Sequence, residues 1–308
     1  MKRLRLATRG SQLALAQSGW VARRVEAKLG IAVELVTVRT SGDRLADVSL
    51  AKIGGKGLFV KEIEEALQDA RADLAVHSAK DLPARIAEGL VLAAFPERGD
   101  ARDALVAREA GWHLLGLPHG ARVGTGSARR RAQLCALRPD LEVVALRGNV
   151  TTRLERLTEQ RFDAVILACA GLDRLDLGGR IHERVSADLM LPAVGQGVLA
   201  IEARSGEALA ADLGALSDAP TARAIAAERA FLARLEGDCN VPLAAFAEPQ
   251  SDGTLRLRGM VLSADGTRVA QVEVRGAEPV ALGIAVAEAV LAKGGAEILA
   301  ELRREVAS

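Results

Sequence analysis

The stretch Arg122-Val123-Gly124-Thr125-Gly126-Ser127-Ala128-Arg129-Arg130-Arg131 decides the fold class. A short apolar run closes at Thr125, and Thr125-Gly126-Ser127 sits where a strand feeds a helix N-terminus. A strand that feeds a helix through so tight a turn is half of a β-α-β unit, the building block of layered α/β domains. The unit recurs on both sides. Downstream, strands are predicted at residues 143–146 and 165–168, within an apolar run over 164–171, and helices near Ser127 and Thr152. Glu155, three residues after Thr152, completes a capping-box pattern. Upstream, strands are predicted at residues 4–8, 33–38, 74–77 and 91–95. A helix runs from Ser11 with Leu13, Leu15, Ala16, Trp20, Val21 and Val25 near helical spacing, and another covers 60–69. Glu97-Arg98-Gly99-Asp100 reads as a polar crossing between domains. After residue 217 the rhythm changes: a helix over 221–234, hairpin signals at Asp252-Gly253 and Asp265-Gly266, and two closing amphipathic helices. The expectation is two α/β domains, residues 1–97 with 198–216 and residues 98–197, and a smaller α+β domain over 217–308.

Composition narrows the function classes. The 308 residues carry 41 Lys and Arg against 40 Asp and Glu, a net charge of +1, so no whole-molecule field points to nucleic acid or a membrane surface. Aromatic residues make up 2% and Tyr is absent, which disfavours a base-stacking platform. No apolar run approaches the roughly 18–20 residues that cross a bilayer. The start, MKRLRLATRG, has no secretory apolar core, and three cysteines at 135, 169 and 239 form no CxxC. The expected compartment is the cytoplasm, with no metal.

Three segments carry chemistry. Between 122 and 161 nine Arg face four acids, a local charge of +5. They form either a solvated helix face or, at strand ends where helix N-termini present free N–H groups, a site for several carboxylates or phosphates. Arg147-Gly148-Asn149 repeats the arrangement one strand on. Gly124-Thr125-Gly126 lacks the third glycine of a dinucleotide fingerprint, Arg129 standing there, and Gly54-Gly55-Lys56-Gly57 lacks Walker spacing. Val76-His77-Ser78-Ala79-Lys80-Asp81-Leu82-Pro83 ends a strand with either a plain polar loop or a loop in which Asp81 does acid–base work and Lys80 binds an anion. Cys135 and Cys169 read as structural, whereas Cys239 sits on a turn between Gly237 and Pro242.

Taken together these segments resemble the porphobilinogen deaminase family over nearly the whole chain. The similarity rests on Ala7-Thr8-Arg9-Gly10-Ser11, Gly54-Gly55-Lys56-Gly57-Leu58-Phe59, His77-Ser78-Ala79-Lys80-Asp81 and Gly124-Thr125-Gly126-Ser127 with Arg129-Arg130. Arg147-Gly148-Asn149 with Arg153, Leu191-Pro192-Ala193-Val194-Gly195-Gln196-Gly197 and the Cys239 turn follow in order. The resemblance implies two periplasmic-binding-protein-like (type II) α/β domains around a cleft, plus a third domain carrying the cysteine. It implies a transferase that joins four porphobilinogen molecules head to tail into hydroxymethylbilane with release of ammonia, in tetrapyrrole biosynthesis. The implied cofactor is dipyrromethane, bound by a thioether to Cys239. By the same resemblance Lys80, Asp81, Thr125, Ser127, Arg129, Arg130, Arg147 and Gly148 hold the cofactor. Arg9, Ser11, Phe59, Arg147, Arg153 and Gln196 receive substrate, and Asp81 is the catalytic carboxylate, stabilising the cationic azafulvene and pyrrole nitrogens. A monomer with porphobilinogen as its small-molecule partner is expected.

The chain departs from the family pattern at Asp238 and Asn240 beside Cys239, and at Gly126 and Ala128. A carboxylate next to the thiol should raise its pKa. Two other classes compete: a two-lobed carboxylate-binding protein, which needs no cysteine-bearing third domain, and a nucleotide-dependent enzyme, which the broken glycine motifs disfavour.

Overall fold

A computed structural model of the chain describes residues 3–41, 60–159, 161–236 and 241–307. The first strands are β1 (Leu4–Thr8), β2 (Val33–Thr37), β3 (Leu74–Ser78) and β4 (Leu90–Ala94). Next come β5 (Asp103–Ala107), β6 (Arg122–Thr125), β7 (Glu142–Ala145), β8 (Ala164–Ala168), β9 (Glu183–Val185) and β10 (Leu199–Arg204). The described helices in this part are α1 (Gln12–Leu29), α2 (Lys61–Gln68), α3 (Ala128–Leu137), α4 (Val150–Thr158), α5 (Cys169–Asp173) and α6 (Ala208–Leu213). They form two five-stranded sheets of one plan. In the first the order is β2-β1-β3-β10-β4, in the second β7-β6-β8-β5-β9. β1, β2 and β3 run parallel, as do β6, β7 and β8, whereas β10 and β5 are antiparallel to both neighbours. Each antiparallel strand follows a crossing from the other lobe. This exchange gives the two-lobed, type II periplasmic-binding-protein-like architecture the sequence led us to expect.

Alternation along the strands buries both sheet faces. Leu4 and Leu6 pack with Val21 and Val25 of α1, while Ala7 packs with Ile63 and Leu67 of α2. In the second lobe Ala164 and Ile166 meet Leu134 of α3, and Val165 and Leu167 meet Leu154 and Leu157 of α4. Fully burying one such Leu stabilises by about 1.5–3 kcal/mol.

The third unit pairs α7 (Ala219–Leu235), α8 (Pro279–Val290) and α9 (Ala296–Ala307) with an antiparallel sheet β11-β12-β13 (Leu243–Pro249, Leu255–Leu262, Val269–Gly276). Its sheet also packs on the second lobe, where Ala132 of α3 and Leu191 share a cluster with Ala244, Met260 and Leu262.

Several expectations are corrected. The helix expected near Thr152 starts at Val150, because the Asn149 side chain accepts the Thr152 N–H at 2.8 Å and is the true N-cap. The apolar run over 164–171 is strand only to Ala168, and Cys169 opens α5; a short apolar run cannot by itself separate strand from buried helix. Leu15 points outward at 38% exposure, and the buried face of α1 instead includes Gln17 and Ser18. Strands β5, β9 and β10 were not foreseen.

Candidate active site

Four strand ends converge. β1 ends at Thr8, just before Arg9, and Ser11 caps α1 by accepting the Ala14 N–H. β3 ends at Ser78 and Ala79–Asp81 follow as a single 3-10 turn. β6 ends at Thr125, with Ser127 capping α3 through the Arg130 N–H, and β7 ends at Ala145, two residues before Arg147. The polar face of α1 holds two of these ends in place: Ser18 Oγ donates to Thr8 Oγ1 at 2.8 Å, and Gln17 Nε2 to Ser78 Oγ at 3.1 Å. The lobes meet at the mouth, where Thr151 Oγ1 donates to Gln12 Oε1 at 3.0 Å.

None of α1, α3 and α4 has an acidic residue in its first turn. In α3 the first turn instead carries Arg129, Arg130 and Arg131 on the positive end of the helix dipole, an arrangement that opposes helix stability. Asp103, fully buried at the start of β5, offsets it. Its Oδ2 accepts from Arg129 Nη1 at 2.7 Å, and its Oδ1 accepts from Arg129 Nη2, Arg130 Nε and Arg130 Nη2 at 3.0, 2.9 and 2.8 Å. Burial alone would raise the Asp103 carboxyl; Arg129 and Arg130 overcome it and hold the group well below the usual carboxylate range. Arg129 also donates to the Leu191 carbonyl and Arg130 to that of Ile166. Gln196, likewise buried, donates to Asp103 Oδ1 and to the Ala101 carbonyl. Sequence reasoning missed Asp103; its one signal was a lone acid opening an apolar run.

The cations of this cluster repel one another across the cleft. Burial pushes the Lys80 ammonium down to about 8, Arg130 adding repulsion and Asp81 and Asp103 opposing. Burial likewise lowers the Arg153 guanidinium to about 10, again with repulsion from Arg130 and opposition from Asp81. Among the described residues, Lys80, Arg129, Arg130 and Arg153 thus gather around Asp81 and Asp103. Arg129 Nε is also buried with no hydrogen-bond partner among the described residues. Ammonium and guanidinium donors pair strongly with carboxylates, so the donor set fits a ligand bearing several of them. Asp81 is exposed; Thr125 is buried; Arg9, Ser11, Ser127, Arg147 and Arg153 are half-buried.

Gly126, one of the departures from the family pattern, has a local cause. The turn between β6 and α3 runs so close to the next strand end that a Cβ at 126 would lie 2.7 Å from the Leu146 carbonyl oxygen. Phe59, with the glycine-rich segment before it, and Cys239, with Asp238 and Asn240, lie outside the described residues.

The family model for the porphobilinogen deaminase dipyromethane cofactor binding domain matches residues 4–212, and the model for the C-terminal domain of that enzyme matches residues 222–292. The chain belongs to the porphobilinogen deaminase family. It is 48% identical to the porphobilinogen deaminase of Brevibacillus brevis, with 99% of each chain covered. It is 50% identical to that of Geobacter metallireducens, covering 99% of this chain and 97% of the relative, and 51% identical to that of Acidithiobacillus ferrooxidans, covering 97% and 98%. Among solved structures, an arginine-specific periplasmic binding protein of Salmonella typhimurium aligns over 72% of this chain and 94% of its own at 16% identity and a TM-score of 0.42. Within the porphobilinogen deaminase family, then, the cofactor-binding region covers both lobes whose strand ends carry the cationic cluster.

Proposed function

We propose that this chain is a transferase that condenses four porphobilinogen molecules head to tail into hydroxymethylbilane, releasing one ammonia per addition. Lys80, Arg129, Arg130, Arg147, Thr125, Ser127 and the Gly148 backbone would hold a dipyrromethane, attached to Cys239 as a thioether. Arg9, Ser11, Phe59, Arg153 and Gln196 would receive the incoming ring. When bound, the dipyrromethane supplies the pyrrole carbon from which the chain grows. The observation that carries the reading is the placement of the exposed carboxylate Asp81 within electrostatic reach of Lys80 and Arg153, beside the arginines held by Asp103. The cations bind the acetate and propionate of each ring. Asp81 passes a proton to the departing amine and faces the positive charge left on the substrate as ammonia leaves.

The lobes divide at residues 1–97 with 198–216 and at 98–197, with residues 217–308 as the third domain. In this reading the enzyme is a cytoplasmic monomer and uses no metal. No helix among the described residues is long and apolar enough to cross a membrane. Purified protein confirmed by mass to carry its cofactor should consume four porphobilinogen and release four ammonia per hydroxymethylbilane, the stoichiometry of the head-to-tail reaction. Binding of porphobilinogen without ammonia release would favour the carboxylate-binding alternative.

A further inference from the structure

The turn that carries Asp81 is held from the third domain. Ala79 and Leu82, on either side of Lys80 and Asp81, are buried in one cluster with Ile225 of α7. Ala84 packs against the apolar core of the third domain. One helical turn beyond Ile225, Arg229 reaches the same segment: its Nη2 donates to the carbonyls of Pro83 at 3.1 Å and Ala84 at 2.9 Å. From the other side of the turn, His77 on β3 meets Glu202 on β10 at 2.9 Å, both side chains buried.

Burial lowers the Arg229 guanidinium, and attraction from the Glu202 carboxylate partly offsets this. Glu64 lies within reach of Glu202 and His77: burial raises its carboxyl, the Ala87 N–H lowers it, Glu202 raises it and His77 lowers it. Arg229 directs Nη2 to the two carbonyls, while its Nη1 and Glu202 Oε1 are buried without hydrogen bonds among the described residues. Among the described residues the guanidinium's hydrogen bonds thus go to the turn's carbonyls.

We infer that Arg229 is a positioning residue for the condensation: by gripping the carbonyls that follow Asp81 it fixes that carboxylate's reach into the cleft. Its helix, Ala219–Leu235, belongs to the third domain, so a contact between domains sets the turn that carries the acid. The inference rests on the assignment of Asp81 made above.

The test compares Arg229→Met, Arg229→Lys, Asp81→Asn and the double variant Arg229→Met/Asp81→Asn, each as holoenzyme with cofactor loading confirmed by mass. Misplacing a reacting group by about 1 Å can cost up to roughly a hundredfold, so Arg229→Met should lower kcat about tenfold with KM within about twofold. Arg229→Lys, which keeps a donor, should recover part of the loss. If Arg229 acts through Asp81, its substitution changes nothing further in the Asp81→Asn background; additive losses would overturn the proposal. Arg223→Met, which removes a contact to the Ala277 carbonyl on the outer side of the same helix, should leave kcat unchanged. Wild-type kcat in loaded Arg229→Met, with Asp81→Asn impaired, sinks this proposal alone. Full activity in Asp81→Asn sinks the site assignment and the proposal with it. Should Arg229→Met not accumulate as folded holoenzyme, Arg229→Gln decides. It keeps an N–H but is too short to grip both carbonyls, so kcat should fall about threefold or more, and an unchanged kcat overturns the idea.

Discussion

Gln196 donates from Nε2 to Asp103 Oδ1 at 2.8 Å, joining the start of the return crossing to the strand that follows the outward one. The same carboxylate holds Arg129 and Arg130, so the return crossing and the arginine cluster share one buried counter-charge. Near it the two crossings touch directly: Gly99 donates to the Gly197 carbonyl at 3.1 Å, and Arg174 reaches that carbonyl at 2.6 Å. Gly197 has φ +86°, and a Cβ there would lie 2.6 Å from the Gly99 oxygen, so the close approach requires glycine.

Asp103→Asn should leave two buried guanidiniums without their counter-charge, a loss of about 3–5 kcal/mol when a buried pair is broken from one side. Cofactor loading should fall with it. Because the Asp103 carboxyl is held below its unfolded value of about 3.9, its stabilising contribution is complete above that pH and lost as pH falls further. Thermal unfolding midpoints between neutral pH and pH 3 check this. The acid-induced drop should be smaller in Asp103→Asn than in the parent, and equal drops would remove Asp103 from that role.

Asp81→Asn keeps the side chain's shape but removes its charge and proton. General acid–base and electrostatic contributions are each worth about two to four powers of ten, so hydroxymethylbilane formation should slow at least a hundredfold. Asp81→Glu should retain part of the activity. Turnover of the Asn variant within about threefold of the parent is far short of that loss and would move the role elsewhere.

Lys80 gives the site a pH dependence of known sign. Its ammonium, pushed down to about 8, loses its charge as pH rises through that value, and with it part of the attraction for the carboxylates held in the cleft. The alkaline limb of kcat/KM should fall near there. Lys80→Arg, which stays charged, should move the limb upward. A limb at the same pH in both proteins would assign it to another group.

Intact mass should exceed that of the 308-residue chain by two deaminated porphobilinogen units, carried on Cys239. Burial pushes the Cys169 thiol up to about 12, which makes it a poor nucleophile, and Cys135 packs against the turn at Gly266, where an added Cβ would come 3.2 Å from its own. A peptide map placing the adduct on either of them would overturn the attachment site.

Local chemistry was legible in the sequence wherever it acts over a few residues. Ser11 and Ser127 cap the helices expected of them, and the polar segment at 97–100 is a crossing. The true cap of α4, Asn149, lay in the quoted motif but was passed over for a capping-box pattern three residues on, since both residues are good caps and only the backbone separates them. The arginine run and the Asp81 loop were likewise visible as candidate chemistry.

What the sequence by itself determined, then, was the α/β alternation, the position of its hairpin turns and domain crossing, and the strand ends where charged residues collect. Tertiary structure alone decided which of those residues meet. β5 and β10 enter their sheets from the opposite lobe, so their neighbours lie far along the chain and no local period reveals them. Asp103 stands 26 residues from Arg129 and 93 from Gln196, and Arg229 lies 145 residues from the Ala84 carbonyl it binds. A carboxylate at the head of an apolar run becomes the counter-ion of two arginines only once the crossing folds it beneath α3. Burial then makes that pairing obligatory, because two guanidiniums removed from water must find an anion.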